Sequence, residues 1–259
     1  MNRKLERIAV LVSVGRHPVS GVARYSRNDA AALETGLALA KEHGATLDVL
    51  HAGDPTNPAL EDYLALGAPR VEVLMCRTDG DAAATLAVRV QGYDLVLTGT
   101  CAEGAYDSGM LPYQIADALG LPLLGSAVDA AVAGGKVTVR QFLPKGVRRR
   151  AQASLPAVVA VHPLAAVTPH YAYARLRAGS IDTQHVAPRE HADAAQWTVA
   201  AAQRKPVRLA AAEKRSGHAR MLSATTTESR GGSVVIEGTS VEKAQVILGY
   251  LREHQLIDY

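Results

Sequence analysis

The residues best suited to chemistry lie in the segment Thr98–Leu111, which reads TGTCAEGAYDSGML. Its three glycines let the backbone approach a ligand closely. The amide groups at the start of the helix that follows attract phosphate. Asp107 and Ser108 are candidates for capping that helix or for binding a ribose hydroxyl. On spacing alone, a nucleotide-binding loop and a capped helix without a ligand are equally supported.

The signatures of several other chemistries are missing from the chain. It has no G-x-x-x-x-G-K-[ST], no G-x-G-x-x-G after the first predicted strand and no G-x-S-x-G. The nine histidines make no H-E-x-x-H pair, and Cys76 and Cys101 are too far apart for C-x-x-C. His17 and His51 fall at strand ends near the segment, where capping or packing is the favoured interpretation. We therefore predict neither catalytic residues nor a metal site.

The amino-acid composition favours a globular protein and argues against nucleic-acid binding and membrane insertion. Hydrophobic residues make up 48% of the 259 residues, enough for a sizeable core, but Phe142 and Trp197 are the sole Phe and Trp. The basic cluster at Lys145–Arg150 has no interleaved aromatic residues, which favours a solvated turn over a nucleic-acid patch. The cysteine usage is typical of a reducing cytoplasm. The N-terminal apolar run of about seven residues is too short for a membrane span. We expect a cytoplasmic protein without membrane insertion.

Strands and helices alternate along the first half of the chain, which predicts a doubly wound, mostly parallel sheet of the α/β class. Asn28 or Asp29 is the expected cap of the first helix. The predicted strands are Ile8–Val14, Thr46–His51, Arg70–Met75 and Asp94–Thr98, and the predicted helices are Asn28–His43, Pro58–Leu66, Asp81–Gln91 and Leu111–Leu119.

The pattern changes after Pro122. Ser126–Ala133, Lys136–Phe142 and Ala157–His162 are expected to be strands, which adds an antiparallel extension to the sheet. Residues 167–230 have weak periodicity and few core-forming side chains, so they are predicted to be disordered or to order against a partner. A strand and an amphipathic helix, Ser240–His254, then follow. We divide the chain into an α/β nucleotide-binding domain (1–166), a docking segment with a partner-wrapping arm (167–230) and a C-terminal strand and helix (231–259).

Several segments, in their order along the chain, resemble the beta subunits of electron-transfer flavoproteins. The matching segments are IAVLVSVGRHP, NDAAALETGLALAKEHGATLDVLHAGD, ALEDYLALGAPRVEVL, YDLVLTGT with DSGMLPYQIADALGLPLLGSA, GGKVTVRQFLPKGVRRRAQASLPAVVAV and RGGSVVIEGTSVEKAQVILGYLRE. The resemblance covers almost the whole chain. It implies a fold of the adenine-nucleotide alpha-hydrolase type.

The resemblance also implies a function. The chain would pair with an alpha subunit that holds most of the FAD, accept electrons from a flavoprotein dehydrogenase, and pass them through a quinone oxidoreductase to the respiratory chain. Many such beta subunits bury an AMP. By position, that site would use Ser13, Asn28, Ala52, Gly99, Thr100, Asp107, Ser108, Gly109, Met110 and Leu111. The resemblance places dehydrogenase docking at Tyr171, Tyr173, Arg175 and Leu176; packing of this segment on the alpha subunit is the alternative.

Two other interpretations stay open at this point. The loop also resembles that of electron-bifurcating relatives that hold a second FAD, although AMP or an empty site is favoured. Small nucleotide-binding stress proteins share the same layered core, but they leave residues 167–259 unexplained.

Overall fold

The computed structural model describes residues 4–17, 19–77, 80–103, 108–187, 189, 198, 216–218, 221, 238–254 and 256–257. The chain divides into two compact units, Met1–Trp197 and Thr198–Tyr259. Asp107 and the predicted strand at 232–237 lie outside the described residues.

The first unit alternates strands with helices, as the sequence predicts. Its helices are α1 (Arg27–His43), α2 (Leu60–Leu66), α3 (Ala82–Arg89), α4 (Leu111–Leu119) and α5 (Tyr173–Ala178). Its strands are β1 (Arg7–Leu11), β2 (Val14–Arg16), β3 (Ala23–Tyr25), β4 (Thr46–Gly53), β5 (Arg70–Met75), β6 (Leu95–Gly99), β7 (Leu123–Ala133), β8 (Lys136–Phe142), β9 (Arg148–Ser154), β10 (Ala157–Val161) and β11 (Ser180–Gln184).

Nine of these strands form one sheet in the order β11-β5-β4-β1-β6-β10-β7-β8-β9. Strands β11, β5, β4, β1, β6, β10 and the first part of β7 are parallel, and β7, β8 and β9 pair in antiparallel fashion. The predicted α/β class with an antiparallel extension is confirmed. The connection after β1 leads to β4 on one side, whereas β6 pairs on the other side. The order therefore switches between β1 and β6, where ligands bind in open α/β sheets.

The central strands are buried because both faces of the sheet are covered. Strands β6 and β10 have no exposed residue, which accounts for their largely apolar sequences. One apolar cluster contains residues of α1 and α2, such as Leu33 and Tyr63, together with one set of strand side chains. The other contains residues of α3 and α4, such as Leu86 and Ile115, with the alternate strand residues. Helices on both faces thus fix the site-bearing strand ends from both sides.

The start of α1 differs from the prediction. The cap is Ser26, whose Oγ accepts a hydrogen bond from the Asp29 amide at 3.3 Å, and not Asn28 or Asp29. Asp29 lies in the first turn of the helix, and its carboxylate accepts hydrogen bonds from Ser13, just after β1, and from Gly99 at the end of β6. The helix ends at Gly44, which has the left-handed φ of 63° that favours glycine.

Two stretches of strand also differ from the prediction. The expected strand Ile8–Val14 ends at Leu11, and Val14–Arg16 turns away to form a separate two-stranded hairpin with β3. The basic cluster is not a simple turn, since Arg148–Ser154 is a strand that pairs with β8. The sequence did not predict this strand because it is strongly polar. The strand is polar because it lies at the edge of the sheet, where exposed charges discourage further pairing.

The segment after residue 167 contributes α5 and β11 to the first unit. β11 pairs in parallel with β5 at the other edge of the sheet, and α5 packs against α2. In the second unit, α6 (Ser240–Glu253) begins with a capping box between Thr239 and Glu242. The predicted helix is thus present, and it has no buried residue.

Candidate functional site

The candidate site lies at the switch point, beyond the carboxyl ends of β1 and β6. Ser13 follows β1, and Gly99 is the last residue of β6. Both were predicted to line the site. The structure brings them together through a third residue, Asp29, which projects from the first turn of α1.

Asp29 accepts hydrogen bonds from both strand ends. Its Oδ2 accepts from the Ser13 amide at 2.8 Å and from the Ser13 hydroxyl at 2.6 Å. Its Oδ1 accepts from the Gly99 amide at 3.0 Å. A buried carboxylate needs such donors because it has lost its hydration. These bonds tie β1, β6 and α1 together at the floor of the site.

Tyr63 completes this buried network from α2. Its hydroxyl donates to the Ser13 carbonyl at 2.6 Å and accepts from the Ser26 amide at 3.0 Å. Burial raises the pKa of Tyr63 well above its ordinary value, so the phenol stays neutral. Burial also raises the pKa of Asp29 to about 7, although the hydrogen bonds from Ser13, Gly99 and Ser26 oppose this rise.

The first part of the loop after β6 is held against β1 and the hairpin. The Glu103 amide donates to the Ser13 hydroxyl at 3.1 Å. The Glu103 carboxylate accepts from Arg24 of β3, with N···O distances of 3.2 and 3.1 Å. Glu103 also lies directly over Gly15, where an added Cβ would stand 2.7 Å from the Glu103 Cβ. Gly15 is therefore required by the close approach of this loop.

The last part of the loop leads into α4. Gly109 has a φ of 68°, and a Cβ built on it would lie 3.4 Å from the Thr100 carbonyl oxygen. The predicted cap at Ser108 takes another form, since its hydroxyl accepts from the Met110 amide at 3.3 Å. Met110 is the residue before the helix, and no side chain of the described residues caps α4. Leu111 is the first helical residue with an amide that can attract an anionic ligand, since Pro112 has no amide hydrogen.

The remaining predicted site residues lie near this floor. The Asn28 amide group donates to Cys101 Sγ at 3.0 Å, which joins α1 to the loop. Ala52 lies at the end of β4, next to β1 in the sheet. His51 is buried, with Nδ1 2.9 Å from the Val12 carbonyl oxygen, and burial lowers its pKa. His17 instead accepts hydrogen bonds from the exposed turn of the hairpin.

The predicted docking residues lie on and just before α5, against α2. The Tyr171 hydroxyl donates to Asp62 at 3.2 Å, and Arg175 donates to the His170 carbonyl at 3.3 Å. Tyr173 is 68% exposed, and Leu176 is half-buried. The four residues thus lie within one short segment of the first unit.

Comparison with known proteins identifies the family. The model of the electron transfer flavoprotein domain matches residues 20–203, more than half of the chain. An electron transfer flavoprotein subunit beta from Chromohalobacter salexigens is 34% identical over 257 residues, which cover 96% of this chain and 95% of that protein.

The chain belongs to the electron transfer flavoprotein beta-subunit family. The resemblance seen in the sequence is confirmed, and with it the assignment of the chain to a family of electron carriers. Among the described helices, none is long and apolar enough to cross a membrane. No group of three or more histidine, cysteine, aspartate or glutamate side chains in the described part of the chain is arranged to hold a metal ion.

The sequence prediction missed the residues that hold the floor of the site in place. Asp29 was considered as a helix cap, and Tyr63 and Glu103 were not singled out. An aspartate three residues after a serine at a helix start would have indicated Ser26 as the cap. No local pattern indicates the partners of Tyr63 or Glu103, because each bond joins residues far apart in the chain.

Proposed function

We propose that this chain is the beta subunit of a heterodimeric electron-transfer flavoprotein. It pairs with an alpha subunit that holds most of the FAD, and this FAD supplies the redox chemistry. The pair accepts electrons from a flavoprotein dehydrogenase and passes them through a quinone oxidoreductase to the respiratory chain. The 34% identity to a beta subunit along nearly the full length of both chains carries this proposal. The subunit's own task is to shape a flavin environment, exclude water and present partner surfaces.

The C-terminal helix α6 supports the need for an alpha subunit. Val241, Ile247 and Leu248 lie on one face of this helix and are 64%, 62% and 36% exposed. A row of large apolar side chains without cover is typical of a surface that a partner buries. We propose that this face packs on the alpha subunit as part of the wrapping arm.

The switch-point site is proposed to hold AMP. Its phosphate would lie at the start of α4, where the amides of Ser108, Gly109 and Leu111 lie near a helix end that no described side chain caps. Three observations fit this group: the absence of a side-chain cap among the described residues, the left-handed Gly109 and the exposed Ser108 hydroxyl.

The other site residues would shape the space around the nucleoside. Ser13 and Gly99 already bond to Asp29, so they form the floor and do not supply free donors. Asn28, Ala52 and Thr100 would line the walls, and Asp107 would complete the loop. A second FAD in place of AMP is the alternative for the same site.

The surface formed by Tyr171, Tyr173, Arg175 and Leu176 is the proposed docking site for the dehydrogenase. Exposed tyrosines beside an arginine are the residue types that most often dominate transient protein contacts. Anchoring of Tyr171 to Asp62 gives this surface a defined shape before any partner arrives.

Co-expression with the alpha-type subunit of the same organism tests the heterodimer. The expected product is a yellow one-to-one complex, with little flavin on the beta chain alone. Ile247→Asp is expected to abolish co-purification, because it places a charge on the proposed apolar contact. Glu253→Ala, on the opposite face of α6, is the matched control and should leave the complex intact. A colourless chain that ignores the alpha subunit would overturn the proposal.

Extraction of the purified complex separates the nucleotide alternatives. AMP in a one-to-one ratio to the beta chain, beside one FAD, is the expected content. Two FAD per complex would favour the second-FAD alternative, and one FAD without AMP would leave the switch-point site without a nucleotide role.

A further inference from the structure

Asp29 is the connection between the sheet and the site loop. The donors to its carboxylate are backbone and hydroxyl groups of Ser13 and Gly99, and the side chain is 3% exposed. Among the described residues these donors are all neutral. Burial of a carboxylate among neutral donors costs free energy of desolvation. A residue needed only for packing would not carry this cost.

From Asp29 the connection continues into the loop through Ser13. A hydroxyl group has a single proton, and Ser13 gives this proton to Asp29. The oxygen lone pairs then face the Glu103 amide, which donates to them at 3.1 Å. Gly99 starts the same loop and bonds directly to Asp29. Both ends of the stretch 99–103 are thus fixed by one carboxylate, directly at Gly99 and through a hydroxyl at Glu103.

We propose that Asp29 is a positioning residue of the nucleotide site, whose carboxylate sets the path of residues 99–103. The expected effect of Asp29 on AMP binding rests on the proposed nucleotide site, whereas its effect on the path of residues 99–103 does not. An asparagine at this position has nearly the same shape but accepts through one oxygen only. Its NH₂ group must face either the Ser13 donors or the Gly99 amide, so at least one anchor of the loop is lost.

Hydrogen exchange of the full chain, alone and with its alpha subunit, tests this inference. At about pH 8, where the Asp29 carboxyl with its pKa of about 7 is ionised, Asp29→Asn is expected to raise exchange of residues 99–103 by about ten- to a hundredfold, the effect of losing a hydrogen bond to a charged group. Ser13→Ala removes the hydroxyl, and with it the bond to Asp29 and the acceptor of the Glu103 amide, but it leaves the bonds from the Ser13 and Gly99 amides to Asp29. It should therefore raise exchange near Glu103 more than at Gly99, which keeps the inference testable if Asp29→Asn folds poorly. AMP binding to the complex, measured by calorimetry, should weaken in both variants.

Glu72→Gln is the matched control. Glu72 is also a buried carboxylate, 7% exposed, but it bonds to Arg89 at 2.7 Å through each of its oxygens and lies on β5. Its loss should lower stability without changing exchange at 99–103 or AMP affinity. Equal effects of Asp29→Asn and Glu72→Gln on exchange at 99–103 would overturn the inference, as would unchanged exchange in Asp29→Asn. If the wild-type complex binds no AMP, the proposed nucleotide site fails, while the exchange comparison still decides the role of Asp29.

Discussion

Gly99 and Asp29 are in such close contact that residue 99 has no room for a side chain. A Cβ built on Gly99 would meet Asp29 Oδ1 and would stand 2.6 Å from the Cβ of Asn28 and 3.0 Å from its carbonyl carbon. The backbone of α1 thus lies directly against the end of β6. The hydrogen bond from the Gly99 amide to Asp29 depends on this approach.

Gly99→Ala should therefore destabilise the fold. The new methyl group meets the helix backbone, which cannot move aside as a flexible side chain would, so we expect a loss of about 1–3 kcal/mol in the free energy of unfolding. Urea denaturation measures it. Gly125→Ala is the control, because a Cβ at Gly125 has no atom within 4 Å. Equal stability of the two variants would contradict the close approach of α1 and β6.

Stability should depend on pH through Asp29. Burial raises its pKa to about 7 from the ordinary value of 3.8. Between these values the folded chain keeps a proton that the unfolded chain has released. The free energy of unfolding therefore falls as the pH rises from ~4 to ~7, by at most about 1.4 kcal/mol per pH unit.

Asp29→Asn removes this contribution and serves as the comparison. Tyr63 stays neutral over the range, and Glu103 and Asp62, the other acidic groups that act on it, are present in both proteins. The stability difference between wild type and Asp29→Asn should be larger at pH 5 than at pH 7.5, measured by denaturation at each pH. A stability difference that grows with rising pH would show that folding does not raise the pKa of the Asp29 carboxyl group.

Tyr63→Phe should lower stability without changing the packing of the ring. The hydroxyl bonds to the Ser13 carbonyl and the Ser26 amide, and the variant leaves both buried groups unsatisfied. The expected loss is about 1–3 kcal/mol in the free energy of unfolding. Tyr113→Phe, at a site that is 58% exposed, should stay within about 0.5 kcal/mol of wild type. An unchanged free energy of unfolding in Tyr63→Phe would mean that water replaces the hydroxyl.

Tyr173→Ala should slow electron delivery to the complex. If the surface around Tyr173 docks the dehydrogenase, loss of this exposed ring should lower the second-order rate of flavin reduction about tenfold, with an unchanged Tm. Stopped-flow reduction by the cognate dehydrogenase measures the rate. Leu164→Ala removes a side chain of similar exposure, 65%, outside the proposed surface and should react as wild type does. A rate equal to that of wild type in Tyr173→Ala would place docking elsewhere.

Local sequence was sufficient for most of the fold. The unbroken apolar run of β10 predicts a core strand of the sheet, and the periodicity after Arg27 predicts α1. These signals are local because each helix or strand, through its backbone geometry and the faces that it buries, sets the spacing of apolar residues along its own sequence. The polar strand β9 lacked such a period, since its outer side faces solvent at the edge of the sheet.

The sequence by itself therefore determined the α/β class and the family, and it indicated the loop that we propose as part of the site. Tertiary structure alone decided that Ser13 and Gly99 form the floor of the site and that Asp29, Tyr63 and Glu103 hold them there. The bonds of this network join residues between 16 and 90 positions apart. Such partners are chosen by the order of strands in the sheet and by the depth at which each group is buried. No spacing along the chain encodes either quantity, so the loop could be located in the sequence, but its anchors could not.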